Sequence, residues 1–111
     1  MTDVHIAWAA GVYEGEGWCS LAHNGTGKQY WRVGIEMTDK DIIDRINNLF
    51  PCPSIMERTR AQWKTTYTWR LSRRTDIRNF LSKILPYLGD RRAHKALDAL
   101  DQIELSQTKV K

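Results

Sequence analysis

The sequence predicts an α+β domain in which one four-stranded antiparallel, saddle-shaped sheet carries helices on one face. Three observations predict it. Two pairs of strand-like runs, 18–24 with 29–37 and 54–60 with 64–72, alternate with period two. A helical pattern precedes each pair, so the order reads helix, hairpin, helix, hairpin and then two more helices. Within the strands, apolar positions alternate with basic, hydroxyl-bearing or aromatic ones, as in a sheet covered on one side only. No composition break divides the chain, and residues 1–111 read as a single domain.

Each element has its own justification. Residues 4–14 are apolar at 4, 6–10, 12 and 13, and a helix apolar around most of its circumference must be buried on more than one side. Asp3 is the expected N-cap. Gly11 and Gly15 fall on one side of this helix, with Ala7 and Ala10 nearby. Each glycine costs about 1 kcal/mol relative to alanine inside a helix. Small residues so placed serve close backbone approach, and a second copy of the same helix is the partner that would require it.

The glycine-rich turn 25–28 joins the first two strands. In the second strand Trp31, Val33 and Ile35 should face the core, and Tyr30, Arg32, Gly34 and Glu36 should face away. Helix 40–50, capped by Thr38 or Asp39, repeats Ile42, Ile43, Ile46, Leu49 and Phe50 at helical spacing; Pro51 and Pro53 stop it. In the second hairpin Thr65, Tyr67, Trp69 and Leu71 share one face, and Lys64, Thr66, Thr68 and Arg70 the other. Arg58 and Arg60 also share a face, Met56 reads as core filler, and Trp63 sits in the turn. A helix opened by Asp76 carries Ile77, Phe80, Leu81, Ile84 and Leu85 and ends near Pro86. The last helix, from 90 to about 105, carries Ala93, Ala96, Leu97, Leu100 and Ile103.

Composition excludes several classes of function. At 41% hydrophobic and 27% charged residues the chain is an ordinary globular one. It lacks an apolar run of the ~20 residues needed to span a membrane, and its start lacks an export leader. It is expected to be intracellular, with no membrane partner. Cys19 and Cys52 read as reduced thiols, and His5, His23 and His94 lack zinc-ligand spacing. The net charge of +4 is unevenly spread: from Arg58 to Arg78, Asp76 is the lone acidic residue among many Lys and Arg. An anionic polymer would meet that imbalance, and an open sheet face suits the major groove of double-stranded DNA. Ser20, Asn24, Tyr30, Arg32, Glu36, Arg58, Arg60, Lys64, Thr66, Thr68 and Arg70 are the expected DNA-facing residues. Lys28 and Arg73, with Arg74, are expected phosphate contacts.

Glu14 and Glu16 are two apart and point in different directions. Glu14 reads as a structural partner of a neighbouring group. Glu16 sits between Gly15 and Gly17 at the helix end. Two copies of the helix would bring two Glu16 carboxylates together, and beside phosphate such a pair calls for divalent cations.

Residues 9–17, AAGVYEGEG, resemble the LAGLIDADG motif in its variant ending Asp-Gly-Glu-Gly or Asp-Gly-Asp-Gly. The order αββαββα is similar to that family's core. Residues 85–88, LPYL, followed by Arg91, Arg92 and an amphipathic helix, are similar to its C-terminal segment. The resemblance covers essentially the whole chain, and a single motif points to the homodimeric branch of these homing endonucleases. It implies a homodimer that hydrolyses phosphodiester bonds at a long pseudo-palindromic DNA site, as intron-encoded enzymes of this kind do. By resemblance, Glu16 is the metal ligand, Gly15 offers its carbonyl to the same metal, and Gly11 and Gly15 line the helix–helix seam. Arg91 matches a basic residue near the scissile phosphate, where the family often has lysine. Asp39 falls near a residue of the water-organising pocket, often glutamine. The implied cofactor is Mg²⁺, with Mn²⁺ as a substitute and Ca²⁺ supporting binding without efficient cleavage. The motif departs from pattern at Ala9, which replaces a large apolar residue, and at the bulky Tyr13 and Trp18. A non-catalytic DNA-binding regulator and an intron RNA maturase are the alternative uses of such a scaffold.

Overall fold

The computed structural model describes residues 1–59 and 64–108, with side chains described through 104. The chain runs α1 (Asp3–Glu16), β1 (Gly17–His23), β2 (Gln29–Met37), α2 (Lys40–Leu49), β3 (Met56–Arg58), β4 (Thr66–Leu71), α3 (Arg74–Ile84), a 3₁₀ turn (Leu85–Tyr87) and α4 (Asp90–Thr108). The strands form one antiparallel sheet in the order β1-β2-β4-β3. Among the described residues, no helix is long and apolar enough to cross a membrane.

The core lies between the sheet and the helices. Val33, Ile35, Trp69 and Leu71 rise from the sheet to meet Ala9, Ala10 and Tyr13 of α1, Ile43 and Ile46 of α2, and Ile77, Phe80, Leu81 and Ile84 of α3. Phe80 is its hub, meeting Trp69, Phe50 and Tyr13 edge to face at centroid distances of 4.9, 4.8 and 5.6 Å. The indole of Trp69 satisfies its buried N–H by donating to the Phe50 carbonyl at 2.8 Å. That bond ties β4 to the end of α2.

The alternation in β2 and β4 is as expected, with Trp31 half-buried and Trp69 fully buried. Several details differ. Thr2, not Asp3, caps α1: its hydroxyl accepts from the His5 backbone N–H, and the His5 ring accepts from the Thr2 N–H. This capping box uses a histidine where Glu or Gln is usual. Asp39 stands at the N-cap position of α2, but its side chain makes no cap hydrogen bond. α3 starts at Arg74, two residues before Asp76, so Asp76 lies in its first turn, where the helix dipole favours a carboxylate. β3 is only three residues long, and Met56 is exposed rather than core. On α4 the buried residues are Ala96, Ala99 and Ile103, while Leu97 is 42% exposed. The buried stripe of α4 runs through 96, 99 and 103 at helical spacing, which leaves Leu97 outside it. Trp63 lies outside the described residues.

Candidate functional site

The helix-side positions Val33 and Ile35 are fully buried, so the alternate residues of β2 must lie on the sheet's other face. Register extends that face across the strands: Ser20 pairs with Arg32, Trp18 and Arg70 flank Gly34, and Glu36 and Met56 flank Thr68. Arg58 pairs with Thr66, and Tyr30 with Ala22. The fold therefore gathers Ser20, Tyr30, Arg32, Glu36, Arg58, Thr66, Thr68 and Arg70 on one uncovered surface. Within it Thr68 donates to Glu36 at 2.9 Å. Lys64 and Arg73 are exposed just before β4 and just after it. Arg60 lies outside the described residues.

Asn24 has a duty that strand alternation does not reveal. Its side-chain oxygen accepts from the Thr26 N–H, the Thr26 hydroxyl and the Lys28 N–H, at 2.9, 2.6 and 3.0 Å. The β1–β2 turn is thus an Asx-type knot, and Gly27, at φ 85°, supplies the left-handed residue within it. That oxygen is committed to the turn and leaves only the amide N–H₂ and the exposed Lys28 beside it to face a ligand.

The other half of the site is the lower end of α1. Glu14 is half-buried and bound: its Oε1 accepts from the Gly89 N–H, and its Oε2 lies 3.5 Å from Arg92 Nε. Any side chain at Gly89 would collide with that carboxylate. Arg92 also donates to the Gly17 carbonyl, and its guanidinium stands 5.6 Å from the Tyr13 ring centroid. Together Glu14, Gly89 and Arg92 clamp the end of α1 to the start of α4. Burial raises the Tyr13 hydroxyl's pKa above its ordinary value, against the opposing pull of Arg92.

Glu16, by contrast, is exposed and has no hydrogen-bond or ion-pair partner among the described residues. Gly17 is in extended conformation and ends the helix, so no further turn follows to engage the carbonyls of Gly15 and Glu16. A carboxylate and a backbone carbonyl are hard oxygen donors of the kind Mg²⁺ and Ca²⁺ take. Among the described residues no cluster of three or more His, Cys, Asp or Glu could hold an ion. A cleft of about 530 Å³ opens beside this end, lined by Tyr13, Gly17, Cys19, Arg91, Arg92 and Lys95 among others. Arg91 is exposed at its rim and Arg92 is half-buried. Asp39 is exposed two residues past the end of β2.

The four expected seam residues divide. Ala7, Gly11 and Gly15 are exposed, and at both glycines a methyl group would meet open space. Ala10 is only 1% exposed. It belongs to the inner face with Ala9 and Tyr13, because residues 7, 11 and 15 repeat on one side of the helix and 6, 10 and 13 on the other. Arg92, Gly89 and Gly34 are positions that sequence reasoning passed over. The Arg91–Arg92 doublet was visible, but which arginine turned inward depended on the clamp.

No protein-family model and no curated protein matches the chain. Solved structures do. I-CvuI, a homing endonuclease in complex with its target in the presence of calcium, gives a TM-score of 0.74 at 18% identity, covering 92% of this chain and 67% of its own. I-LtrWI, a LAGLIDADG homing endonuclease bound to target DNA, gives 0.74 at 18% identity, covering 97% of this chain. I-CeuI, a group I intron-encoded homing endonuclease complexed with DNA, gives 0.70 at 13% identity over 96% of this chain. This chain spans only 39% of I-LtrWI and 57% of I-CeuI. The chain has the LAGLIDADG homing endonuclease fold.

Proposed function

We propose that this protein is a divalent-metal-dependent, site-specific DNA endonuclease that acts as a homodimer. The observation that carries the reading is the contrast between two carboxylates on one turn of helix. Glu14 is hydrogen-bonded through one oxygen and ion-paired through the other, while Glu16 stands free at the tip, beside an uncovered sheet face rich in Arg and Thr. A free carboxylate at the edge of a cationic surface repels an anionic polymer unless a cation lies between them. Support comes also from the neighbours that share the fold, which are homing endonucleases seen with target DNA, one of them with calcium.

In this reading Glu16 and the Gly15 carbonyl hold the cation, Mg²⁺ in cleavage and Ca²⁺ in binding. A bound Mg²⁺ polarises the scissile phosphate and makes a water more acidic. The residues of the chain do the rest. The sheet face places the duplex, with Arg32 and Arg70 reading base edges and Lys28, Lys64 and Arg73 holding phosphates. Arg91 supplies positive charge near the phosphate under attack, and Asp39 orients water there. Ala7, Gly11 and Gly15 form the seam along which two copies of α1 meet. An isologous pair presents the same readout twice, so the site is pseudo-palindromic.

The test is Glu16→Gln. With Mg²⁺, cleavage of a selected target should fall by about a thousandfold or more. Duplex binding in Ca²⁺, measured by fluorescence anisotropy, should weaken by no more than about threefold, because the sheet contacts are untouched. Wild-type cleavage by this variant would dismiss the assignment of Glu16.

A further inference from the structure

One side chain on the open face has no duty in the reading above. Trp18 is the second residue of β1, two positions from Glu16, and its register partner is Gly34. Its ring lies so close over Gly34 that any side chain there would strike the six-membered ring. Covering a glycine with an aromatic ring across an antiparallel pair stabilises the sheet. That accounts for Gly34 being buried, but not for the neighbour.

The neighbour is Arg32, on the same face and diagonal to Trp18. Its guanidinium carbon lies 5.9 Å from the Trp18 ring centroid. Its Nε is buried and has no hydrogen-bond partner among the described residues. A buried guanidinium N–H without an acceptor is costly, and such an atom in a native structure needs an explanation. The indole wall fixes where the guanidinium points, and among the described residues no carboxylate forms an ion pair with it. Nε is covered, but the terminal Nη1 and Nη2 make no hydrogen bond or ion pair among the described residues, and this pair of donors can meet an acceptor supplied from outside. Guanine, with O6 and N7 side by side, is the base edge that matches a planar fork of donors.

We propose that Trp18 is a specificity-determining residue: seated in the notch that Gly34 leaves in β2, it orients Arg32 to read one guanine of the half-site. The inference rests on the reading of this face as a DNA surface and adds to it which residue sets the selectivity of that arginine. Arg70, paired with the other side of Gly34, reads a separate position and does not depend on the ring.

The experiment is a selection of bound duplexes from a randomised library in Ca²⁺, run on the wild type and on Arg32→Ala, Trp18→Ala, Trp18→Leu and Gly34→Ala. The wild type should prefer guanine at one half-site position by about ten- to a hundredfold. Arg32→Ala should abolish that preference, and each of the other three should reduce it to about threefold or less at the same position, leaving the preference read by Arg70 in place. The Trp18→Ala, Arg32→Ala double variant should lose no more than Arg32→Ala alone. Thermal melts identify any variant that is unfolded, and the two Trp18 variants together with Gly34→Ala reach the notch from both sides. If Trp18→Ala and Trp18→Leu keep the guanine preference, or lose selectivity evenly at every position, the inference is overturned and the endonuclease reading stands. If the wild type shows no sequence preference on duplex DNA, both fall.

Discussion

The two sides of α1 are built from the same apolar alphabet and have opposite fates. On the inner side Ala9, Ala10 and Tyr13 are at most 2% exposed and pack on the sheet and α3. On the outer side Val4 is 73% exposed, Ala7 is exposed, and Gly11 and Gly15 face open space. A helix that is apolar all round has two surfaces to bury, and one chain buries only one of them. The carboxylates differ as well: Glu14 accepts from Gly89 and faces Arg92 at the α4 clamp, and Glu16 at the tip has no partner among the described residues. The lesson is that one element carries both an exposed apolar side and an unpaired acid, which are the two features that the proposed pairing of α1 helices would use.

The largest way to break this contrast is on the inner side. Tyr13→Ala removes a buried ring that meets Phe80 and Gly17, and should destabilise the fold by about 3–5 kcal/mol in a urea melt. A small loss would mean that α1 is held mainly by its end clamp. The outer side should behave in the opposite sense. Gly11→Ala adds a methyl where nothing lies within 4 Å, so at dilutions too low for association it should stabilise the chain by about 1 kcal/mol. Gly11→Leu should fold as well but weaken self-association by more than about tenfold in sedimentation, because backbone approach at a seam tolerates no such side chain. Equal association by the two variants would remove α1 from the dimer interface.

The smallest effect sharpens the inner boundary. Burial pushes the Cys19 thiol from 9.0 up to about 11, with Lys95 opposing. The native state then holds this proton between those values while the unfolded state releases it. Stability should therefore fall as pH rises from about 9 through 11, and the raised Tyr13 hydroxyl adds to the loss from its ordinary value of 10.0 upward. In a Cys52→Ser background, alkylation of Cys19 at pH 9 should be on the order of tenfold slower in the native protein than in urea. Equal rates would show that the cleft beside β1 is open to the thiol's depth.

Much of this was legible in the chain itself, because it rests on local rules. Period-two alternation in Trp31, Val33 and Ile35 and helical spacing in Ile43 and Ile46 depend on backbone geometry alone. So do the turn at Gly27 and the stop at Pro51. The separation of Glu14 from Glu16 follows from 100° per residue. Register, and therefore the company a side chain keeps, is a non-local property. Only the packed molecule decided that Ala10 faces inward and that Arg92 turns in to clamp Glu14 while Arg91 stays at the rim. The same holds for Trp18, laid over Gly34 beside Arg32. Each outcome depends on a partner 16 or more residues away or on which face of a helix the sheet happens to meet. Sequence determined the elements, the sheet's two faces and the acid at the tip of α1; tertiary packing decided which polar groups were consumed in holding them together and which were left free to act.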